Sequence, residues 1–203
     1  MANLCKLLQK SSTDKFTSPL VSQIIFHILF LTREIGEKEA CEVILENGAV
    51  STFSTIVQEL ETNKPLKIVM LVSCCTYVFY RMLHTFQTNL DNLSIVEEIV
   101  KGLPGIMSNI TGMFDQNFDM LGKIIAHILL AEVYNKEVIT LIENGTILRY
   151  STLVGMRFKD KDLNAKMLSC WLAVVSSIIR KCDLPRTLLP EIRSVFPGSQ
   201  ELD

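Results

Sequence analysis

The hexapeptide Ile24-Ile25-Phe26-His27-Ile28-Leu29 returns one hundred positions later as Ile124-Ile125-Ala126-His127-Ile128-Leu129. Downstream, Glu46-Asn47-Gly48 returns as Glu143-Asn144-Gly145 and Ser54-Thr55-Ile56-Val57 as Ser151-Thr152-Leu153-Val154, both at an offset of 97. Order and spacing are kept over more than thirty residues, which chance rarely produces. Self-similarity of this kind restricts the chain to repeated supersecondary units, each of which buries its apolar face against its neighbours.

The period within each unit is helical. Ile124, Ile125, Ile128, Leu129 and Val133 recur at threes and fours, as do Leu168, Leu172, Val175 and Ile179. The six prolines fall between apolar segments, where they start or stop helices. The spacing therefore predicts an all-α chain. A third, weaker copy runs from Val96 to Val100, through Gly102-Leu103-Pro104-Gly105, to Ile106–Phe114. It reads as a short helix, a glycine break and a second helix. The breaking glycines are then Gly48, Gly102 and Gly145. Long apolar helices begin near Pro19, Pro65, Phe118 and Leu163, at intervals of 46, 53 and 45, the longest holding the loop Gln87–Leu93.

Ile44-Leu45-Glu46-Asn47-Gly48-Ala49-Val50 and Leu141-Ile142-Glu143-Asn144-Gly145-Thr146-Ile147 resemble the junction between the first and second helices of armadillo repeats. Glycine there tolerates φ > 0 and leaves no Cβ between crossing helices. The resemblance covers residues 18–182 and implies an armadillo-like right-handed α-solenoid of about three and a half repeats. It divides the chain into an N-terminal cap (1–17, with Leu4, Leu7 and Leu8 on one face), a leading long helix (18–35) and repeats at 40–85, 94–134 and 136–182. Residues 183–203, with three of the six prolines, form a C-terminal cap or a flexible tail. So short an array also reads as a fragment or short form of a longer repeat protein.

Composition excludes several function classes. With 48% hydrophobic residues, a chain of 203 residues has enough apolar surface for a full core and is not disordered. A net charge of −2 lacks the basic excess of a protein that grips nucleic acid through charge. The mean hydropathy of +0.30 raises the question of a membrane. Yet the longest uncharged runs, Ile68–Tyr80 and Leu168–Ile179, fall short of the ~20 residues a bilayer needs. Met1-Ala2-Asn3-Leu4-Cys5-Lys6 is not a signal peptide, so the expected address is cytoplasmic, nuclear or both, and not secreted.

In such a compartment Cys5, Cys41, Cys74, Cys75, Cys170 and Cys182 are expected to be reduced structural thiols, with the adjacent pair Cys74-Cys75 as the one place for redox chemistry. Their spacing fits no zinc site. The chain lacks a Gly-x-Ser-x-Gly elbow, a phosphate-binding Gly-rich loop and H-E-x-x-H, which argues against an enzyme and implies no cofactor and no metal.

Armadillo-like proteins bind extended peptides along the concave face of their third helices, so the resemblance implies a site on the polar stripes of the long helices. Those stripes are Gln23, His27, Phe30 and Glu34; Lys67, Met70, Cys74, Tyr77, Arg81 and His84; Lys123, His127, Leu130 and Tyr134; and Lys166, Ser169, Ala173, Ser176 and Arg180. Side by side they would make a basic groove in which Lys67, Tyr77, Arg81, Lys123, His127, Tyr134, Lys166 and Arg180 contact an acidic protein or peptide segment. For any one residue the plainer alternative is the solvated edge of a mostly buried helix. His27 and His127, at equivalent positions, are expected to share a hydrogen bond between adjacent helices, and Trp171 to lie in the core. The Trp–Asn ladder of nuclear-import readers in this family is missing, which speaks against that specificity. The expected function is a non-enzymatic interaction module or scaffold. The alternative is a structural subunit that assembles through the apolar ends of the array.

Overall fold

A computed structural model describes residues 1–11, 19–59, 66–86, 93–109, 115–131, 134–159 and 165–181. All regular structure among them is helical. In chain order the helices are α1 (Ala2–Ser11), α2 (Pro19–Ile35), α3 (Glu37–Glu46), α4 (Ala49–Glu59), α5 (Leu66–Thr85), α6 (Leu93–Ser108), α7 (Asp115–Leu130), α8 (Asn135–Glu143), α9 (Thr146–Lys159) and α10 (Ala165–Lys181). The expected all-α class is what the chain adopts. The expected tail at 183–203 and most of the loop Gln87–Leu93 lie outside the described residues. No described helix is long and apolar enough to cross a membrane.

The chain divides into two compact units, Met1–Met120 and Leu121–Asp203, with the division falling inside α7. In the first unit, α1 packs on α2, α3 and α4, with Cys5 and Leu8 fully buried. Gln9 Nε2 donates to the Asn47 carbonyl at 2.5 Å and ties α1 to the α3–α4 turn. The core of this unit holds Ile25, Ile28, Ile44, Phe53, Ile56, Phe79, Met82, Ile99 and Leu103.

The two Glu-Asn-Gly copies build one and the same turn. After α3, the Asn47 N–H donates to the Val43 carbonyl and the Gly48 N–H to the Leu45 carbonyl, with Gly48 at φ +61°. After α8, the Asn144 N–H donates to the Thr140 carbonyl and the Gly145 N–H to the Ile142 carbonyl, with Gly145 at φ +73°. Positive φ is where glycine avoids the Cβ clash other residues suffer, so the turn needs glycine in both copies.

The third glycine behaves differently, and the expected break at Gly102-Leu103-Pro104-Gly105 is corrected: α6 runs through it unbroken, with Pro104 inside the helix. The glycines here serve close approach instead of a turn. A Cβ on Gly105 would fall inside the Val57 carbonyl of α4, and one on Gly102 would lie 2.9 Å from both the Phe79 ring and Ser54 Oγ. Two donors from α4 reach carbonyls on the turns preceding Pro104: Ser54 Oγ donates to Glu98 O at 2.5 Å and Gln58 Nε2 to Lys101 O at 2.9 Å. An interior proline costs a helix a hydrogen bond and a ring clash, on the order of 3 kcal/mol. The carbonyl that Pro104 frees is that of Val100, four residues back, so these two donors do not replace the lost bond. With the tight apposition of Gly105 to Val57 they fasten α6 to α4 on either side of it.

In the second unit, α9 packs against α8 and α10. Tyr150, fully buried on α9, occupies the space beside Gly122 of α7, where a Cβ would run into its hydroxyl and lie 3.1 Å from Cys170 Cβ of α10. Gly122 is thus the point at which three helices of this unit close up. Trp171, expected in the core, is half-buried.

Candidate functional site

α2 and α5 are neighbours in the first unit, and two sets of contacts define their relative course. Their N-terminal halves meet around a cavity of about 220 Å³ lined by Gln23, Ile25, Phe26 and His27 of α2 and by Met70, Leu71 and Cys74 of α5. At its other end α5 meets α3, which follows α2 after the single residue Gly36: Arg81 Nη1 donates to Glu37 Oε2 at 2.6 Å, and Thr85 Oγ1 donates to Cys41 Sγ at 3.5 Å. The two long helices therefore run in the same direction.

In that arrangement the two expected stripes lie along one face of the unit. Gln23 and His27 of α2 line the same cavity as Met70 and Cys74 of α5, and each stripe continues toward the C-terminal end of its helix, through Phe30 and Glu34 and through Tyr77 and Arg81. Gln23, His27, Phe30 and Glu34 are exposed, as are Met70 and His84, while Cys74, Tyr77 and Arg81 are half-buried. Apolar surface dominates: Phe26 is 58% exposed, Phe30 55% and Met70 49%. Three large apolar side chains left half in water on two adjacent helices, two of them lining one cavity, are informative, whereas single exposed ones are ordinary.

The charge on this face differs from the sequence expectation. Arg81 is already matched by Glu37, which stands in the first turn of α3, and its guanidinium carbon lies 5.0 Å from the Tyr77 ring centroid and 5.9 Å from that of Tyr80. A carboxylate arriving from outside would meet a cation whose charge Glu37 already offsets. Lys67 stands on α5, but its side chain lies outside the described residues, as do those of Lys166 and Arg180 on α10.

In the second unit, Lys123 is exposed and His127 half-buried on α7, one turn apart. Tyr134 requires a correction. α7 ends at Leu130, so Tyr134 does not continue its stripe; it is the residue preceding α8, at φ −101° and ψ 39°, and is only 6% exposed. Burial, and then the neighbouring Glu137 carboxylate, push its phenol up, so its ring is packing and not open surface. The hydrogen bond to an adjacent helix expected of the histidines is not the one His27 makes: its exposed ring donates through Nδ1 to the Gln23 carbonyl of its own helix at 2.7 Å.

Phe26 was not among the expected site residues, although the sequence holds a signal for it. Within the repeated hexapeptide the two copies differ at this position alone, where Ala126 stands in the second copy. Ala126 is 8% exposed and belongs to the core of its unit, while Phe26 projects beside the cavity.

The cysteines give this face no nucleophile at neutral pH. Cys5, Cys41 and Cys75 are buried and Cys74 is half-buried, and burial pushes all four thiols up. Cys74 rises from an ordinary 9.0 to about 11. A raised thiol pKa means less thiolate at a given pH, and the thiolate is the nucleophile. Cys74 is therefore expected to react with iodoacetamide at pH 8 about a hundredfold more slowly than an unhindered thiol, with a rate still climbing above pH 10. Peptide mass spectrometry across a pH series measures this, and a plateau near pH 9 would contradict it. Cys182 lies outside the described residues. Among the described residues no group of three or more His, Cys, Asp or Glu side chains is placed to hold a metal ion.

Fold and site together define an all-α chain whose two units each carry the glycine-pinned helix–turn–helix, with a face on the first that exposes Phe26, Phe30 and Met70. A scan against models of known protein families and searches of curated proteins and of solved structures find no match to this chain.

Proposed function

We propose that the chain is an armadillo-like helical-repeat protein and acts as a non-enzymatic interaction module, docking a partner segment along the α2–α5 face of its first unit. The observation that carries this reading is the packing of α2 beside α5 in the same direction, with Phe26, Phe30 and Met70 left about half exposed on these two helices. A period of 47 with a glycine-pinned short helix pair before the long helix agrees with the armadillo and HEAT range. Enrichment in aromatic side chains and methionine, with few uncompensated charges, is the composition of an interface core. Affinity for the partner would come from apolar burial more than from a basic groove, since Arg81 already has Glu37.

Site-specific photo-crosslinking tests the reading. With benzoylphenylalanine at Phe30, at Thr55 or at Leu172 of the full chain expressed in cells, Phe30 is expected to yield one dominant crosslinked protein and exposed Thr55 none. Leu168 and Leu172, 36% and 50% exposed on α10, favour assembly through an apolar end as the second reading. Crosslinks from Leu172 with none from Phe30 would replace the first reading by the second.

A further inference from the structure

The cavity between α2 and α5 is open to solvent, and its walls offer little to a polar chain. Ile25 and Phe26 of α2 and Met70 and Leu71 of α5 are apolar, and burial keeps the Cys74 thiol in its neutral form. Gln23 is the one side-chain amide on either helix. An extended segment turns part of its backbone N–H and C=O groups toward the surface it lies on, and a covered group without a partner is costly. An α-helix satisfies its backbone within itself and presents side chains alone. An apolar wall of this kind therefore discriminates between the two forms of a docking segment, in favour of the helix.

Size and charge narrow the occupant further. The cavity, about 220 Å³, exceeds the ~150 Å³ that suffices for benzene, so it accepts one leucine- or phenylalanine-sized side chain. Phe30 stands one turn, ~6 Å, beyond Phe26 along α2 and is 55% exposed, which gives a second apolar anchor its contact. At ~200 Å² for a large side chain, the half-exposed Phe26, Phe30 and Met70 present on the order of 300 Å². That matches the functional patches of monomers but is well below the ~800 Å² each partner contributes to a stable interface, too little for a dimer of this chain. Among the described side chains of α2 and α5, Arg81 is offset by Glu37, which leaves the exposed Glu34 carboxylate as the charge a partner meets. Complementarity then calls for a cation. On the docking reading above, we propose that the occupant is an amphipathic α-helix of another protein, with apolar side chains one turn apart set into the cavity and against Phe30, and a Lys or Arg at the end that meets Glu34.

Peptide display against the full chain tests this with two libraries: helix-forming sequences of about five turns randomised along one face, and proline-punctuated sequences that stay extended. Clones are kept when they bind the native chain and not Phe30→Asp, a change at an exposed position whose folding is checked by circular dichroism. Helical clones are expected to dominate, with Leu, Ile, Met or Phe recurring at i, i+3, i+4 and i+7 and a basic residue at one end. A proline at the centre of a selected helix should weaken binding at least tenfold. Glu34→Lys in the chain should weaken it about two- to fivefold. Phe30-dependent clones from the extended library alone overturn the helical partner, and selected helices that bind Glu34→Lys as well as the native chain overturn its basic end. Either result leaves the docking face standing. Self-association of the full chain that Phe30→Asp abolishes, read by analytical ultracentrifugation, makes the occupant a second copy and overturns the partner class. Absence of any Phe30-dependent helical clone overturns the inference, while docking in the cell is read separately by the crosslinking at Phe30, so each proposal can fail alone.

Discussion

Gly105→Ala is expected to destabilise the first unit by about 2 kcal/mol and to lower its melting temperature by about 6–10 °C. On an isolated helix the same change would stabilise by nearly 1 kcal/mol, because alanine loses less backbone entropy. The sign reverses here because the new Cβ has no place to go: it would fall inside the Val57 carbonyl, which belongs to the backbone of α4 and cannot rotate away as a side chain could. Overpacking of this kind costs about 1–3 kcal/mol and sits at the upper end when backbone must move. Gly145 separates this effect from conformational strain. It has open space around it but φ +73°, so Gly145→Asn should be well tolerated, asparagine being at home in that region. Gly105→Asn should be worse than Gly105→Ala. Urea and thermal unfolding followed by circular dichroism measure all three, and a neutral or stabilising Gly105→Ala would refute the close approach of α6 to α4.

Phe79→Ala should cost more, about 3–5 kcal/mol, a large part of what a single domain has to lose. Phe79 is fully buried on α5, and its ring lies where a Cβ on Gly102 of α6 would go, 2.9 Å from the nearest ring carbon. The two positions share one volume, so their effects are coupled. Gly102→Ala alone meets both the ring and Ser54 Oγ and is destabilising. Combined with Phe79→Leu, which withdraws the ring edge, its penalty should shrink by about 1 kcal/mol or more. A double-mutant cycle on chemical unfolding reads that coupling directly. Strict additivity would mean that Gly102 and Phe79 do not compete for space.

The halves of the fold that were legible in the sequence are those with local causes. Glu46-Asn47-Gly48 and Glu143-Asn144-Gly145 carry their turn within a few residues, and both copies form it. The starts of α2, α5 and α10 follow from Pro19, Pro65 and the apolar run after Leu163. What was not legible depends on partners distant in sequence. Gly102-Leu103-Pro104-Gly105 has every local mark of a break, yet α6 runs through it, packed at its glycines against α4 and bonded to Ser54 and Gln58 of that helix. Arg81 reads as an available cation until Glu37, 44 positions earlier, is found against it. Tyr134 reads as the next rung of a helix that has already ended. The α2 and α5 stripes were legible because their spacing is intrinsic to each helix; that α2 lies beside α5 required the packed structure.

The hydrogen bonds from Ser54 and Gln58 to the backbone of α6 have a mechanical consequence. Apolar helix packing alone lets one helix slide along another at low cost, since ridges and grooves recur every turn. Ser54 and Gln58 act as two pegs set one turn apart, and they engage two fixed holes in α6. Displacing α6 by a single 5.4 Å turn would pull both out together and drive the Val57 carbonyl against a bulkier neighbour than glycine. The α4–α6 pair is therefore a datum of the first unit, a joint that resists shear as well as separation.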